Sequence, residues 1–218
     1  MIKDTMSLDN ILITGSSNGL GSHLALFYAK KGHHIILHGR NGGKLKEISE
    51  SIKKSGFSAD YYIADLEKED EIYKLCDYVS KKNVKFLINN AGMICPNLPF
   101  KEFEYKLIDR MILVNLVAPI KITNKLISSL HQIININSMV GIEPKKNRTI
   151  YAATKWGLKG FSESLKKEET NIKILDVYPT NIKTWPEREN AMEIDFVLNK
   201  IYEAMINGET ELILDGRK

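Results

Sequence analysis

The 218-residue chain has only two cysteines, Cys76 and Cys95. They lack CxxC spacing, and two thiols in a chain of this size do not make a disulfide framework, so a reducing, cytoplasmic setting is expected. The five histidines, at 23, 33, 34, 38 and 131, show no ligand spacing with cysteines or carboxylates, which argues against metal catalysis. No stretch reaches ~18 uninterrupted apolar residues, and the opening MIKDTMSLDN has no apolar run after its basic residue. Neither a membrane span nor a secretory leader is expected. Neither sign of charge dominates: the net charge is +4, and lysines alternate with glutamates in KLKEISESIKKSG and SESLKKEET, as on a solvated helix face rather than a nucleic-acid groove. With no Pro/Gly/Ser-rich linker, repeat or low-complexity segment, residues 1–218 read as one domain.

What is present is ordinary for a globular protein, with 43% hydrophobic and 27% charged residues, well away from the composition of a disordered chain. Short β-branched apolar runs alternate with longer segments of helical period. NILIT precedes a helix over 19–32, HIILH one over 42–54, ADYYIA one over 67–82 and KFLINN one over about 103–129. QIININ then leads to a helix over 151–169, IKILDVY to one over 193–207, and ELILD closes the series. Continuously apolar strands joined by helices predict a Rossmann-type, doubly wound α/β fold: about seven mostly or entirely parallel strands with helices on both faces. In such sheets ligands bind beyond the carboxyl ends of the strands, so the residues following each strand carry the functional signal.

After the first strand come Thr14, then Gly15, Ser16, Ser17, Asn18, Gly19, Leu20 and Gly21, leading directly into a helix. Glycines there allow a tight turn and close approach of backbone to a pyrophosphate, and the helix N-terminus favours the anion. The spacing differs from GxGxxG, since three residues separate the first two glycines. Arg40 stands after the second strand, where a free ribose hydroxyl would call for an acid and a 2′-phosphate for a guanidinium, so NADP(H) is favoured over NAD(H). Asp65 and Leu66 end the third strand; Asn90, Ala91 and Gly92 end the fourth. Asp65 has the chemistry to accept from an adenine amino group and Gly92 to pass close to a cofactor, though each also fits an ordinary strand-end turn. The fifth strand is expected to end at Ser138. Thirteen residues later Tyr151 and Lys155 stand at i and i+4, on one helix face, with the ammonium placed to favour a phenolate.

Taken together, TGSSNGLG, Asp65, NNAG, Asn115, Ser138, YAATK and the Pro179–Thr184 segment resemble the short-chain dehydrogenase/reductase family over nearly the whole chain. The resemblance implies an oxidoreductase moving hydride between NADP(H) and a carbonyl or secondary alcohol. It divides the chain into a cofactor half over about 9–92 and a catalytic and substrate half over about 93–218. It makes Tyr151 the general acid/base, with Lys155 lowering its pKa and holding the nicotinamide ribose, Ser138 bonding the substrate oxygen and Asn115 holding a water that links Lys155 to solvent. It places Pro179, Ile182 and Thr184 beside the cofactor.

Thr180 replaces the glycine usual after that proline, Asn18 replaces a basic residue common in NADP-dependent relatives, and only WPERENAM lies between Thr184 and the helix near Glu193, so an open site is expected. Met93, Met139, Val140, Ile142, Tyr178 and Trp185 are expected to flank the reaction centre. Lys145, Lys146 and Arg148 in IEPKKNRT are placed to attract an anionic substrate or a carrier's phosphate, and a merely solvated loop is the alternative. Apolar residues Ile112, Val117, Ile120 and Phe161, and the habit of relatives, imply a homodimer or homotetramer. The competing reading is a catalytically silent dinucleotide-binding regulator or scaffold; a nucleotide-sugar epimerase fits less well, because no room remains for a sizeable C-terminal substrate domain.

Overall fold

Apolar strands alternate with amphipathic helices along the chain in the computed structural model, which describes residues 9–94, 96–185 and 187–217. The start of the segment read for a leader, Cys95, and Pro186 of WPERENAM lie outside the described residues. The strands are β1 (Asn10–Ile13), β2 (His34–Gly39), β3 (Ala59–Ile63), β4 (Val84–Asn89), β5 (Gln132–Ile136), β6 (Lys173–Pro179), the two-residue β7 (Ile182–Lys183) and β8 (Met192–Glu193), and β9 (Glu211–Leu214). Seven of them form one sheet in the order β3-β2-β1-β4-β5-β6-β9, every pairing parallel. The chain winds outward from β1 to β3 and then starts again on the other side of β1 with β4. The strand order therefore reverses between β1 and β4, where a crevice opens at the carboxyl edge.

The helices are α1 (Gly19–Lys30), α2 (Gly42–Lys54), α3 (Glu69–Ser80), α4 (Tyr105–Ile112), α5 (Ala118–Leu126), α6 (Thr149–Glu168) and α7 (Ile194–Ile206). Because successive strand side chains point to opposite faces, Ile11 and Ile13 enter one core with Leu24 of α1, Leu45 of α2 and Val197 of α7. Leu12 enters the other with Ile72 of α3 and Ile122 of α5. This double burial explains why the strands read as nearly continuous apolar runs.

Two local departures matter for the site. The helix expected over about 103–129 is interrupted: a π-turn over Leu113–Val117 separates α4 from α5. The stretch Tyr105–Ser129 is long and apolar enough to cross a membrane by length and composition. Its Val114, Ala118, Ile122 and Leu126 are nevertheless buried in the second core, the placement of a core helix. In addition, β5 ends at Ile136 rather than Ser138, because Asn137 Oδ1 takes the Ser138 amide (3.0 Å) and Ser138 caps a short turn over Met139–Gly141.

A chain of buried polar groups crosses the sheet just below its carboxyl edge. Asn89, Asn135 and Asp176 are cross-strand neighbours on β4, β5 and β6. Asn89 donates to Asn135 (2.9 Å) and Asn135 to Asp176 (3.0 Å). Thr123 of α5 closes one end and Ser162 and Lys166 of α6 the other, the last two bonding Asp176 at 2.6 and 2.8 Å.

Candidate active site

The glycine turn is fixed by its neighbours. Gly15 adopts φ +66°, and a Cβ there would lie 2.7 Å from Ala91 Cα; one on Gly21 would lie 2.4 Å from the Gly15 carbonyl oxygen. Both positions demand glycine, the first for conformation and the second for space. Thr14 Oγ1 accepts from the Asn90 and Ala91 amides, each at 3.0 Å, while Asn90 Nδ2 donates to the carbonyls of Thr14 (2.8 Å) and Gly15 (3.1 Å). The turns after β1 and β4 thus form one unit. His38 pins it to β2, its Nδ1 accepting from the Gly15 amide (3.3 Å) and Nε2 donating to the Ala64 carbonyl (3.2 Å). Burial pushes the imidazole pKa down to about 4, so it stays neutral, in the tautomer those two bonds require.

Above this unit runs a cleft of about 840 Å³ along the carboxyl edge of the sheet. It brings together Gly15, Ser17, Asn18, Gly19, Leu20 and Gly21 of the turn, Arg40, Asp65 and Leu66, and Asn90, Ala91 and Gly92. Ser138, Tyr151, Pro179, Ile182 and Thr184 line its other end. Three site residues expected from sequence lie behind the wall. Ser16 is fully buried and accepts from the His38 amide (2.9 Å). Asn115, inside the π-turn, accepts from the Met93 amide (2.6 Å) and donates to the Met93 carbonyl (3.0 Å). Lys155 donates to the Ile136 carbonyl (2.9 Å), its Nζ 5.8 Å from the Tyr151 ring centroid. Of the apolar residues expected around the reaction centre, Met93, Met139, Val140 and Trp185 line the cleft. Ile142 and Tyr178 do not; Tyr178 is a fully buried β6 side chain.

At the β2–β3 end Arg40 is not alone. Its Nη1 lies 2.6 Å from Glu67 Oε1 and 3.8 Å from Asp65 Oδ1. The other Glu67 oxygen meets Arg110 Nε of α4 at 2.6 Å. The two guanidinium groups hold the Glu67 carboxyl below the usual range, the Arg110 hydrogen bond contributing most.

Several of these supporting residues escape sequence reasoning. His38, Asn137, Glu67 and Arg110 act through contacts distant in sequence. Only Asn137 carried a local hint, a polar residue at an expected strand end next to Ser138; its Nδ2 donates to the Lys155 carbonyl (3.1 Å) and so ties β5 to α6.

Burial lowers the Lys155 pKa to about 8 from the usual 10.5. A lysine with a depressed folded-state pKa binds fewer protons folded than unfolded between those values, so stability rises with pH across that window. Below it the buried charge costs about 3 kcal/mol, from ~1.4 kcal/mol per pKa unit; above it the cost vanishes. Without cofactor, Lys155→Met is therefore expected to be more stabilising, relative to wild type, at pH 7 than at pH 10. Chemical denaturation at both values checks this, and a difference independent of pH would show that Lys155 carries no such desolvation.

The chain matches the family model described as short chain dehydrogenase over residues 9–193. It is 31% identical to an uncharacterized oxidoreductase of Listeria monocytogenes over 80% of this chain and 74% of that one. The bulky-bulky ketone specific alcohol dehydrogenase from Comamonas testosteroni superposes with a TM-score of 0.88 at 25% identity, covering 95% of this chain and 86% of the other. A short-chain dehydrogenase from Sphingobium yanoikuyae in complex with NADPH superposes at 0.86 and 26% identity, covering 94% and 87%. Sheet order, the stitched glycine turn and these likenesses agree: the chain belongs to the short-chain dehydrogenase family.

Proposed function

We propose that the protein transfers hydride between NADP(H) and a carbonyl or secondary alcohol. The observation that carries this reading is the meeting of Ser138 and Tyr151 on one wall of the cleft, with Lys155 buried one helical turn behind the phenol. A dinucleotide fits the other end: the glycine cradle leaves no room for side chains at Gly15 and Gly21, and α1 begins there with no acidic residue in its first turn, as an anion requires. NADP(H), when bound, supplies or accepts the hydride. The NADPH held by the Sphingobium relative and the ketone specificity of the Comamonas one support the same reading.

In reduction Tyr151 gives its phenolic proton to the carbonyl oxygen as that oxygen gains charge, and Ser138 Oγ donates a hydrogen bond to the same atom. In oxidation the phenolate takes the proton back. A free phenol has a pKa of ~10; the Lys155 ammonium favours the phenolate and brings it towards the working range. Asn115, its side chain tied to the Met93 backbone, holds a water that links Lys155 to solvent. Arg40 reads the 2′-phosphate, and Asp65 the adenine amino group. NADPH oxidation over a panel of ketones and aldehydes, followed at the nicotinamide absorbance, tests the reading. Tight NADPH binding with no turnover on any of them would favour the silent binder instead.

We also propose that the chain pairs with itself. Of the residues expected there, Ile112 is 38% exposed while Val117, Ile120 and Phe161 are half-buried; with Tyr105 of α4 and Trp156 of α6, 86% and 46% exposed, they offer apolar surface that a symmetric dimer would cover. Light scattering at micromolar concentration decides this, a monomeric mass ruling it out.

A further inference from the structure

Charge is divided along the cleft. At the β2–β3 end both signs occur, Arg40 facing Asp65 and Glu67. Along the rest of the cleft the charged lining side chains among the described residues are all cationic: Lys145, Arg148, Arg188 and Arg217. They come from three separate stretches, before α6, between β7 and β8, and after β9. A solvated helix face repeats its charges along one element; here distant segments bring one sign to one place.

The four are not equivalent. Arg217 is answered by Asp215 (2.6 Å) and Glu143 (2.7 Å). Arg188 instead donates to the Ile182 carbonyl (3.1 Å) and to Asn181 Oδ1 (3.0 Å), with its guanidinium 5.0 Å from the Trp185 ring centroid. All three partners are neutral, so they aim the group without cancelling its charge. Lys145 lies near enough to help lower the Asp215 pKa, yet no ion pair within 4.0 Å holds it among the described residues. Arg148 is the residue preceding α6, whose first turn has no acidic side chain, and it stands three positions before Tyr151. Lys146, grouped with Lys145 and Arg148 in the sequence, does not line the cleft.

We infer that the physiological substrate carries an oxyanion, carboxylate or phosphate, which Arg188 and Lys145 bind while the carbonyl faces Tyr151. This rests on the oxidoreductase reading and narrows its substrate class. The field of these cations in a cleft raises local anion concentration and fades with salt, and one charge-assisted contact is worth at least about tenfold in affinity.

The test uses two matched pairs with saturating NADPH: acetoacetate against methyl acetoacetate, and dihydroxyacetone phosphate against dihydroxyacetone. For at least one pair, kcat/KM is expected to be about tenfold or more higher for the anion, an advantage that shrinks as salt is raised. The pair that shows it distinguishes carboxylate from phosphate. In the double variant Lys145→Gln/Arg188→Gln the anion should lose at least about tenfold more than its neutral partner. Equal losses, no anion preference in either wild-type pair, or a rise in the NADPH Kd as large as the loss for the anion overturns the inference, the last assigning these cations to the cofactor. Calorimetric titration of acetoacetate and dihydroxyacetone phosphate into protein saturated with NADP⁺ gives a readout independent of turnover. Saturable binding that the double variant loses supports the oxyanion site, and no saturable binding of either probe removes it. Failure of every carbonyl to oxidise NADPH counts instead against the oxidoreductase reading.

Discussion

Tyr151→Phe is expected to lower turnover by about 10²–10⁴-fold, the range for losing a general acid/base, while NADPH affinity changes little. The substitution removes one hydroxyl and keeps the ring, so packing against the cluster of Phe103, Met111 and Ile150 survives. The loss should appear in kcat and kcat/KM together, since the missing proton transfer belongs to the transition state. Steady-state kinetics on the best carbonyl of the panel, with NADPH titrated by fluorescence, make the comparison. A folded mutant with near-normal turnover would remove Tyr151 from the chemistry. Ser138 would then be the remaining hydroxyl positioned beside the substrate, and the role of Lys155 would need a different account.

The second large effect concerns cofactor choice. Arg40→Ala should weaken NADPH by between about tenfold and 150-fold, from 1.5–3 kcal/mol per charged hydrogen bond, and leave NADH nearly unchanged. Only the phosphorylated cofactor offers the lost partner. The geometry pushes the figure towards the lower end: the Arg40 side chain is 64% exposed and already meets Glu67 at 2.6 Å, so a phosphate has to compete with a carboxylate. Glu67→Gln should accordingly act in the opposite direction, tightening NADPH and sparing NADH. Titration of both cofactors against wild type and both variants tests the pair. Equal losses for NADPH and NADH in Arg40→Ala would mean that Arg40 does not read the phosphate.

The contrast between Arg40 and Glu67 shows how far the sequence could be read. Arg40 is legible because its place after β2 is local: a strand, one glycine, one residue. Glu67 meets it from the turn after β3, and Arg110 reaches the same carboxylate from α4, 43 residues further on; no pattern of neighbours announces such a meeting. The strand and helix order was legible because burial on both faces makes the strands apolar throughout and the helices periodic, and α2 falls on the expected 42–54. The π-turn at Leu113–Val117 was not, since one extra residue in a helical turn hardly disturbs an apolar stripe. Tyr178 was misplaced for a related reason: the count along β6 puts it near the edge, but its face turns it into the core. The β7–β8 pair, Ile182 with Met192 and Lys183 with Glu193, is too short to leave a periodic signal, and it gives the segment after Thr184 a backbone frame that its brevity did not suggest.

The polar chain from Thr123 through Asn89, Asn135 and Asp176 to Lys166 also limits which misfolded sheets can survive. A slip of one residue between β4, β5 and β6 would turn these side chains to the opposite face, among the aliphatic groups of the first core, and each stranded polar group costs about 1–3 kcal/mol. An apolar run such as FLI in β4 or II in β5 would pair almost as well one step out of place, so the apolar part of these strands offers little discrimination of its own. Asn90, Ser138 and the backbone after Pro179 begin within about one to four residues of the polar chain. Their relative heights over the cleft are therefore decided at the same moment as the strand pairing, and an error in one cannot be absorbed by the other. A chain with misaligned central strands has no cradle to offer a dinucleotide, which makes the cofactor a ligand that only correctly threaded molecules can capture.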